Sequence, residues 1–309
     1  MRLIDIGANL TDPVFRGMYR GKRAHTDDLD QILARAKAAG VVAMMVTGGN
    51  IHESKQAIAL SKEHGSLFAT VGCHPTRTSE IDKHKGGADG YFAELRDLIN
   101  SNRDHVVAIG ECGLDYDRLH FSSRETQNAY FSYHFALTEA TGLPLFLHDR
   151  NTDGDFARTI KENRHRFTDG VVHSFTGTES ELREYLNLNM YIGVNGCSFK
   201  TEENLAVAKL IPLDRLMIET DCPYCEIRPT HAGYKLLASE AAEDGWTAPE
   251  SKRKERWCAD CMVKSRNEPC TIRQVVQVMA RLYGLKEQEV ADKAYENTVK
   301  VFFASKMLE

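Results

Sequence analysis

Glu111, His148, His173 and Asp221 each close a short apolar, β-branched run: VVAIGECGLD, PLFLHDR, GVVHSF and LMIETDCP. Carboxylates and imidazoles together hold a divalent ion of borderline or hard character, and a catalytic ion keeps a coordination position open. One such residue alone at a strand end is more often a hydrogen-bonding partner. Four of them describe one metal centre if their strands are parallel and form one ring, because ring closure brings the C-terminal ends together. An ion held there lowers the pKa of a water and neutralises charge on a scissile phosphate. Asp221 is then the carboxylate suited to take the proton from that water. The chemistry indicated is hydrolysis.

The elements that must position these residues are legible as an alternation. Apolar runs at 3–8, 42–48, 67–72, 106–111, 144–148, 170–174, 190–195 and 216–220 read as strands, with amphipathic stretches between them. In 27–39, Leu29, Ile32, Leu33 and Ala36 recur at helical spacing, with Asp27 and Asp28 in the first turn and Gly40 beyond the end. Strands alternating with helices fit either a closed (β/α)8 barrel or an open doubly wound sheet. The ligand-type residues follow strands four, five, six and eight, which a ring gathers and an open sheet spreads apart. The first βα turn, GANLTDPVFRG, also lacks a G-x-G-x-x-G pattern. The reading is an α/β fold, a (β/α)8 TIM barrel.

Residues 222–270 break the rhythm with Pro223, Pro229, Pro249, Pro269 and the mixed charged run 251–256. They are expected to form a long insertion after strand eight, lying across the mouth. A helix over 272–283 and a final helix over 287–303 follow, the last packed against the barrel, so that 1–309 is one domain.

A chain of 309 residues suits one such barrel, and 42% hydrophobic with 27% charged residues is ordinary for a globular protein. The net charge of -5 argues against an extended footprint on nucleic acid and leaves room for a local pocket. Eight scattered cysteines without a framework point to a reducing, intracellular setting. The N-terminus enters a strand without a leader, and no apolar run approaches bilayer length. The expectation is an intracellular protein, cytoplasmic or nuclear, with no membrane and no obligate protein partner. The 252–256 run is too short and mixed to read as an import signal.

DIGANL (5–10), VTGGN (46–50), TVGCHP (70–75), VVAIGECGLD (106–115), PLFLHDR (144–150), VVHSFTGT (171–178), YIGVNG (191–196), IETDCP (218–223) and RNEP (266–269) occur in this order almost end to end. On these segments the chain resembles the TatD-type metal-dependent deoxyribonucleases of the TIM-barrel metallohydrolase superfamily. Its spacing is most similar to the eukaryotic TatD-related group. The resemblance implies a magnesium-dependent nuclease, with Mn2+ or Zn2+ as alternative ions. It further implies a 3′→5′ exonuclease acting on single-stranded DNA ends, with RNA as a further substrate and links to DNA repair and DNA degradation. By motif match, Glu111, His148, His173 and Asp221 fall on the metal ligands, and His74 on a position of phosphate contact or catalysis. One departure stands out. Many members open with Asp-x-His-x-His, whereas here the positions read Asp5-Ile-Gly7-Ala-Asn9. No imidazole is available there, so one firmly held ion is expected, a second arriving only with substrate.

His74, before Pro75, reads as a phosphate contact or as a loop-capping histidine. Asn9, Arg150 and Asn267 are expected at the substrate. Arg150 could instead pair with Asp149, Asp153 or Asp155, and Glu268 either orients a ligand histidine or anchors Arg266. Cys258-x2-Cys261 is a weak zinc signal, since no second pair follows at ribbon spacing. Phe175, Tyr224 and Trp257 could stack unpaired bases or simply pack. Two other functions compete. A lactone or amide hydrolase of the same barrel class is disfavoured by the missing histidine pair, and a non-catalytic nucleic-acid binder by the presence of every ligand-type residue.

Overall fold

Eight parallel strands follow the apolar runs: β1 (Leu3–Ala8), β2 (Val41–Val46), β3 (Leu67–Val71), β4 (Val106–Asp115), β5 (Leu145–Arg150), β6 (Gly170–Val172), β7 (Tyr191–Val194) and β8 (Leu216–Ile218). They pair in sequence order in one sheet. The computed structural model describes residues 1–237, 242–304, 306 and 308, so 238–241 of the insertion lie outside the described residues. The helices that separate the strands include α1 (Leu29–Ala38), α2 (Ile51–Glu63), α3 (Gly87–Asn100), α4 (Arg124–Thr141), α5 (Asp155–Asn163), α6 (Glu179–Asn187) and α7 (Glu202–Ala208). Side-chain caps start several of them: Asn50 accepts from Glu53 N at 2.8 Å, and Thr178 and Glu181 form a reciprocal capping box.

The sheet closes where β8 runs on to meet β1. Asp221 N donates to Gly7 O at 2.8 Å, Asn9 N donates to Cys222 O at 2.8 Å, and Ala8 bridges Cys222 in parallel. Asp5 reinforces the seam from within, accepting from Thr220 N at 2.9 Å and Thr220 Oγ1 at 2.6 Å. The result is a nearly closed (β/α)8 barrel, as expected from the alternation.

Two helices complete the chain, α8 (Ile272–Tyr283) and α9 (Glu287–Phe302). At the end of α9, Phe302 and Phe303 join Ile4, Ala43, Val171 and Met217, all near the N-terminal ends of their strands, in one buried cluster. That plug leaves the other end of the ring as the face where polar side chains can converge. The insertion differs from its expected position. Among the described residues, only its 224–231 stretch borders the mouth. Its later part packs beside the barrel, where Arg35 of α1 donates to Ala259 O at 2.8 Å and to Glu268 Oε2 at 2.8 Å. Two buried acids, Asp28 and Glu268, pull Arg266 and hence this segment sideways.

Candidate metal centre at the barrel mouth

Strand β4 runs four residues further than its apolar stretch suggests, because pairing with β5 continues through Gly113↔His148 to Asp115↔Arg150. Gly113 makes this possible. Its φ is +145°, and a Cβ there would lie 1.9 Å from His148 O. The close approach puts Glu111 and Asp115 of β4 on either side of His148 of β5.

Glu111 Oε1 is the hub, 2.8 Å from His148 Nδ1 and 2.8 Å from His173 Nε2. Each ring is held at its other nitrogen by a carboxylate with 0% side-chain exposure: His148 Nε2 lies 3.2 Å from Asp115 Oδ2, and His173 Nδ1 lies 3.3 Å from Glu219 Oε2. Glu219 is itself fixed by Ser174 N at 2.6 Å and Asn195 Nδ2 at 3.1 Å. Carboxylates behind imidazoles set the tautomer and aim the free nitrogen, the usual support for metal-ligating histidines. The donor atoms of Glu111, His148 and His173 lie within 4.8 Å of one another, and so do those of His74, Asp115 and His148. Both groups can hold a metal ion. They share His148.

Asp221 belongs to neither tight group but lines the same cavity of about 800 Å³. Asn9 Nδ2 donates to its Oδ1 at 2.9 Å and Cys225 Sγ to its Oδ2 at 3.3 Å. Its backbone φ of +50° is left-handed, a conformation a non-glycine residue keeps only when its surroundings impose it. Here the seam with Gly7 imposes it.

Electrostatics follow from this packing. Burial opposes the Glu111 carboxylate, yet the imidazoles of His173 and His74 hold it well below the ordinary value of 4.5. Burial likewise opposes protonation of His173, but Glu111 and Glu219 lift it well above 6.5. Two carboxylates thus crowd one imidazole, a concentration of negative charge that a divalent cation would neutralise. The donor set fits a divalent ion. Burial pushes the Asp221 carboxyl up to about 7, opposed by His173 and aided by Glu219 and Glu111.

His74 caps its turn and also reaches the cavity. Its Nδ1 accepts from Thr76 N at 3.2 Å, capping the turn, while Nε2 faces Glu111 Oε1 at 3.4 Å. Arg150 lines the cavity and is held by none of its anticipated partners; its Nε donates to Asp117 Oδ2 at 2.9 Å. Asn267 departs from the expected substrate contact. It is 3% exposed, donates to Thr220 O at 3.0 Å and accepts from Thr271 Oγ1 at 2.6 Å, so its amide positions the β8 end from behind. Glu268 anchors Arg266 and Arg35 rather than a ligand histidine. Phe175 is core, Trp257 stacks on His25, and Tyr224 alone of the three stands exposed at the mouth.

Sequence reasoning missed Asp115 and Glu219 as the carboxylates behind the histidines. A signal was present: each shares a strand end with a ligand-type acid, Asp115 four residues after Glu111 and Glu219 two before Asp221. Among the described residues no helix is long and apolar enough to cross a membrane.

The family described as TatD related DNase matches residues 4–303. "Deoxyribonuclease Tat-D" of Schizosaccharomyces pombe is 42% identical over 304 residues, covering 97% of this chain and 96% of the relative. "3'-5' ssDNA/RNA exonuclease TatD" of Enterobacter lignolyticus is 38% identical over 225 residues, 72% of this chain and 79% of the relative. Among solved structures, a hydrolase TatD family protein from Entamoeba histolytica superposes with a TM-score of 0.90 at 38% identity, covering 99% of each chain.

Proposed function

Because the chain belongs to the TatD-related DNase family, we propose that it hydrolyses phosphodiester bonds of DNA, working as a metal-dependent 3′→5′ exonuclease on single-stranded ends. The observation that carries this reading is Glu111 Oε1 lying 2.8 Å from both His148 and His173 at the barrel mouth. Around it stand Arg77, Arg118, Arg150, Lys200 and Arg228, cations suited to a polyanionic substrate on an acidic protein. RNA is a further substrate of the same phosphodiester chemistry, as the name of the Enterobacter relative suggests for that protein.

Glu111, His148 and His173 would hold the ion, and Asp221, lining the same cavity, would complete its shell from outside that tight group. A divalent cation, Mg2+ by family resemblance with Mn2+ or Zn2+ as substitutes, would supply Lewis acidity there, neutralising charge on the scissile phosphate and acidifying a neighbouring water. Asp221 would serve as the base toward that water, its buried carboxyl having a higher proton affinity than an exposed one. His74, whose Nδ1 accepts from Thr76 N, presents Nε2 toward Glu111 Oε1 at 3.4 Å, on the wall of the cavity that a phosphate would enter. Burial lowers the pKa of this ring, which favours its neutral form. Arg150 and Asn9 border the path of the strand.

We further infer an intracellular setting, cytoplasmic or nuclear, supported by eight cysteines that are all free thiols. The test is direct: labelled single-stranded DNA is incubated with the protein, Mg2+ and then a chelator. A ladder of shortened products that stops on chelation supports the reading. Intact strands with Mg2+ would sink it.

A further inference from the structure

A second concave surface lies away from the carboxylates, in the later part of the insertion. Two-residue strands Ser251–Lys252 and Met262–Val263 pair in parallel, and Lys264 N donates to Lys252 O at 2.8 Å. This pairing brings Lys264 to Lys252, and the turn Lys254–Arg256 carries Arg253 and Arg256 to the same depression. Its volume is about 670 Å³, and it is completed by Glu250 and Ser251. Four cations and one acid therefore face it, in a chain whose net charge is -5. Glu250 lies 3.5 Å from Lys252, while among the described residues no carboxylate lies within ion-pair distance of Arg253, Arg256 or Lys264.

The segment that carries the depression packs on the connection leading away from the mouth. Lys254 Nζ sits 4.8 Å over the Tyr19 ring, Trp257 Nε1 donates to Asp28 Oδ2 at 3.0 Å, and Trp257 stacks on His25 with centroids 5.2 Å apart. Tyr19, His25 and Asp28 belong to the connection from β1 to α1, which begins at Asn9 beside Asp221.

We propose that this depression binds backbone phosphates of a single-stranded nucleic acid, on nucleotides beyond those held at the Glu111 cluster. The proposal rests on the nuclease reading of the cavity. Unpaired guanidinium and ammonium groups crowded together repel one another, and an anion relieves that repulsion. Guanidinium forks match phosphate oxygens in pairs. Among the described residues no aromatic side chain lines the depression, so it holds the strand by its backbone and is indifferent to base sequence.

The test uses the full chain in chelator, so that binding is read without cleavage. Affinity for a fluorescent DNA strand of about twenty nucleotides is measured across a salt series for wild type and for the triple variant Arg253→Ser, Arg256→Ser, Lys264→Ser. Three lost phosphate contacts are expected to raise Kd on the order of tenfold and to reduce the slope of log Kd against log salt by about 2. A control removes the same charge at helix C-termini, with Lys62→Ser, Lys161→Ser and Lys209→Ser, and should leave Kd within about twofold. The Arg253→Lys, Arg256→Lys protein should keep the wild-type salt slope, which separates charge from folding. Unchanged binding in the triple variant or an equal loss in the control overturns the proposal. Cleavage in Mg2+ is scored separately. Salt-sensitive binding without cleavage sinks the nuclease reading alone, and cleavage with unaltered binding by the triple variant sinks the phosphate track alone.

Discussion

Glu219 occupies the space that a side chain at Gly7 would need: a Cβ on Gly7 would lie 2.4 Å from Glu219 Oε2. The same carboxylate oxygen holds His173 Nδ1 at 3.3 Å. The absent histidine in the Asp5-Ile-Gly7-Ala-Asn9 opening is thus coupled to the orientation of a histidine in the candidate metal cluster. Even one methyl group at residue 7 must displace the group that aims His173. Gly7→Ala is expected to weaken Mn2+ binding by about 10- to 100-fold, the range seen when carboxylates behind ligand histidines are lost. Calorimetric titration of the metal-free protein measures this, and an affinity equal to wild type would show that His173 is aimed by something else.

Glu111→Gln keeps the size of the hub side chain and removes its charge from between two imidazoles. The folded structure should persist, because the barrel seam and plug do not involve residue 111. Metal-dependent cleavage is expected to fall at least ~10³-fold, in keeping with the several kcal/mol that ion and charge supply at such sites. Circular dichroism and a gel assay on the same preparation decide it, and normal turnover in a folded Glu111→Gln protein contradicts the assignment.

The metal-free protein should lose stability as pH rises through neutrality. Burial pushes the carboxyls of Asp5 and Asp221 up to about 7 from an ordinary 3.8. Each therefore binds its proton more tightly folded than unfolded, so its contribution is complete below 3.8 and disappears as pH climbs through 7. His173, lifted above 6.5, acts in the same direction at higher pH. Glu111, held below 4.5, works oppositely but only in acid. In chelator, the melting temperature at pH 6 should exceed that at pH 8 by a few degrees, roughly. Asp5→Asn should flatten the difference. A melting temperature that climbs from pH 6 to pH 8 is the contrary result.

Cys258 and Cys261 bring their sulfurs to 2.8 Å, but they belong to neither of the groups able to hold a metal among the described residues. Replacing both with Ser is expected to leave cleavage within about twofold, as for changes remote from a site. Loss of a stoichiometric zinc ion together with unfolding would reverse this expectation.

Much of the fold could be read from the chain because strand identity is a local property. Apolar β-branched runs such as VVAMMV and VVAIG declare themselves, and glycine and polar stretches divide them. Strand β4 was underestimated because Gly113 and Asp115 look like loop residues. They pair with β5 only when its backbone approaches to within reach of a glycine. Asn267 looked like a substrate ligand because its motif lies near the site, yet its amide faces Thr220 and Thr271. Sequence proximity to a site does not state which side of a strand a residue supports.

By itself the amino-acid order determined the eight strands, the ring they form and the kinds of donor at their ends. Tertiary structure alone decided that Glu111 is the hub, that Asp115 and Glu219 stand behind the two histidines, and that Asp221 holds back beside Asn9. The reason is range. Periodicity and donor type are set within a few residues, whereas distances between side chains 30 to 200 residues apart depend on register, closure of the seam and the shape of each neighbour.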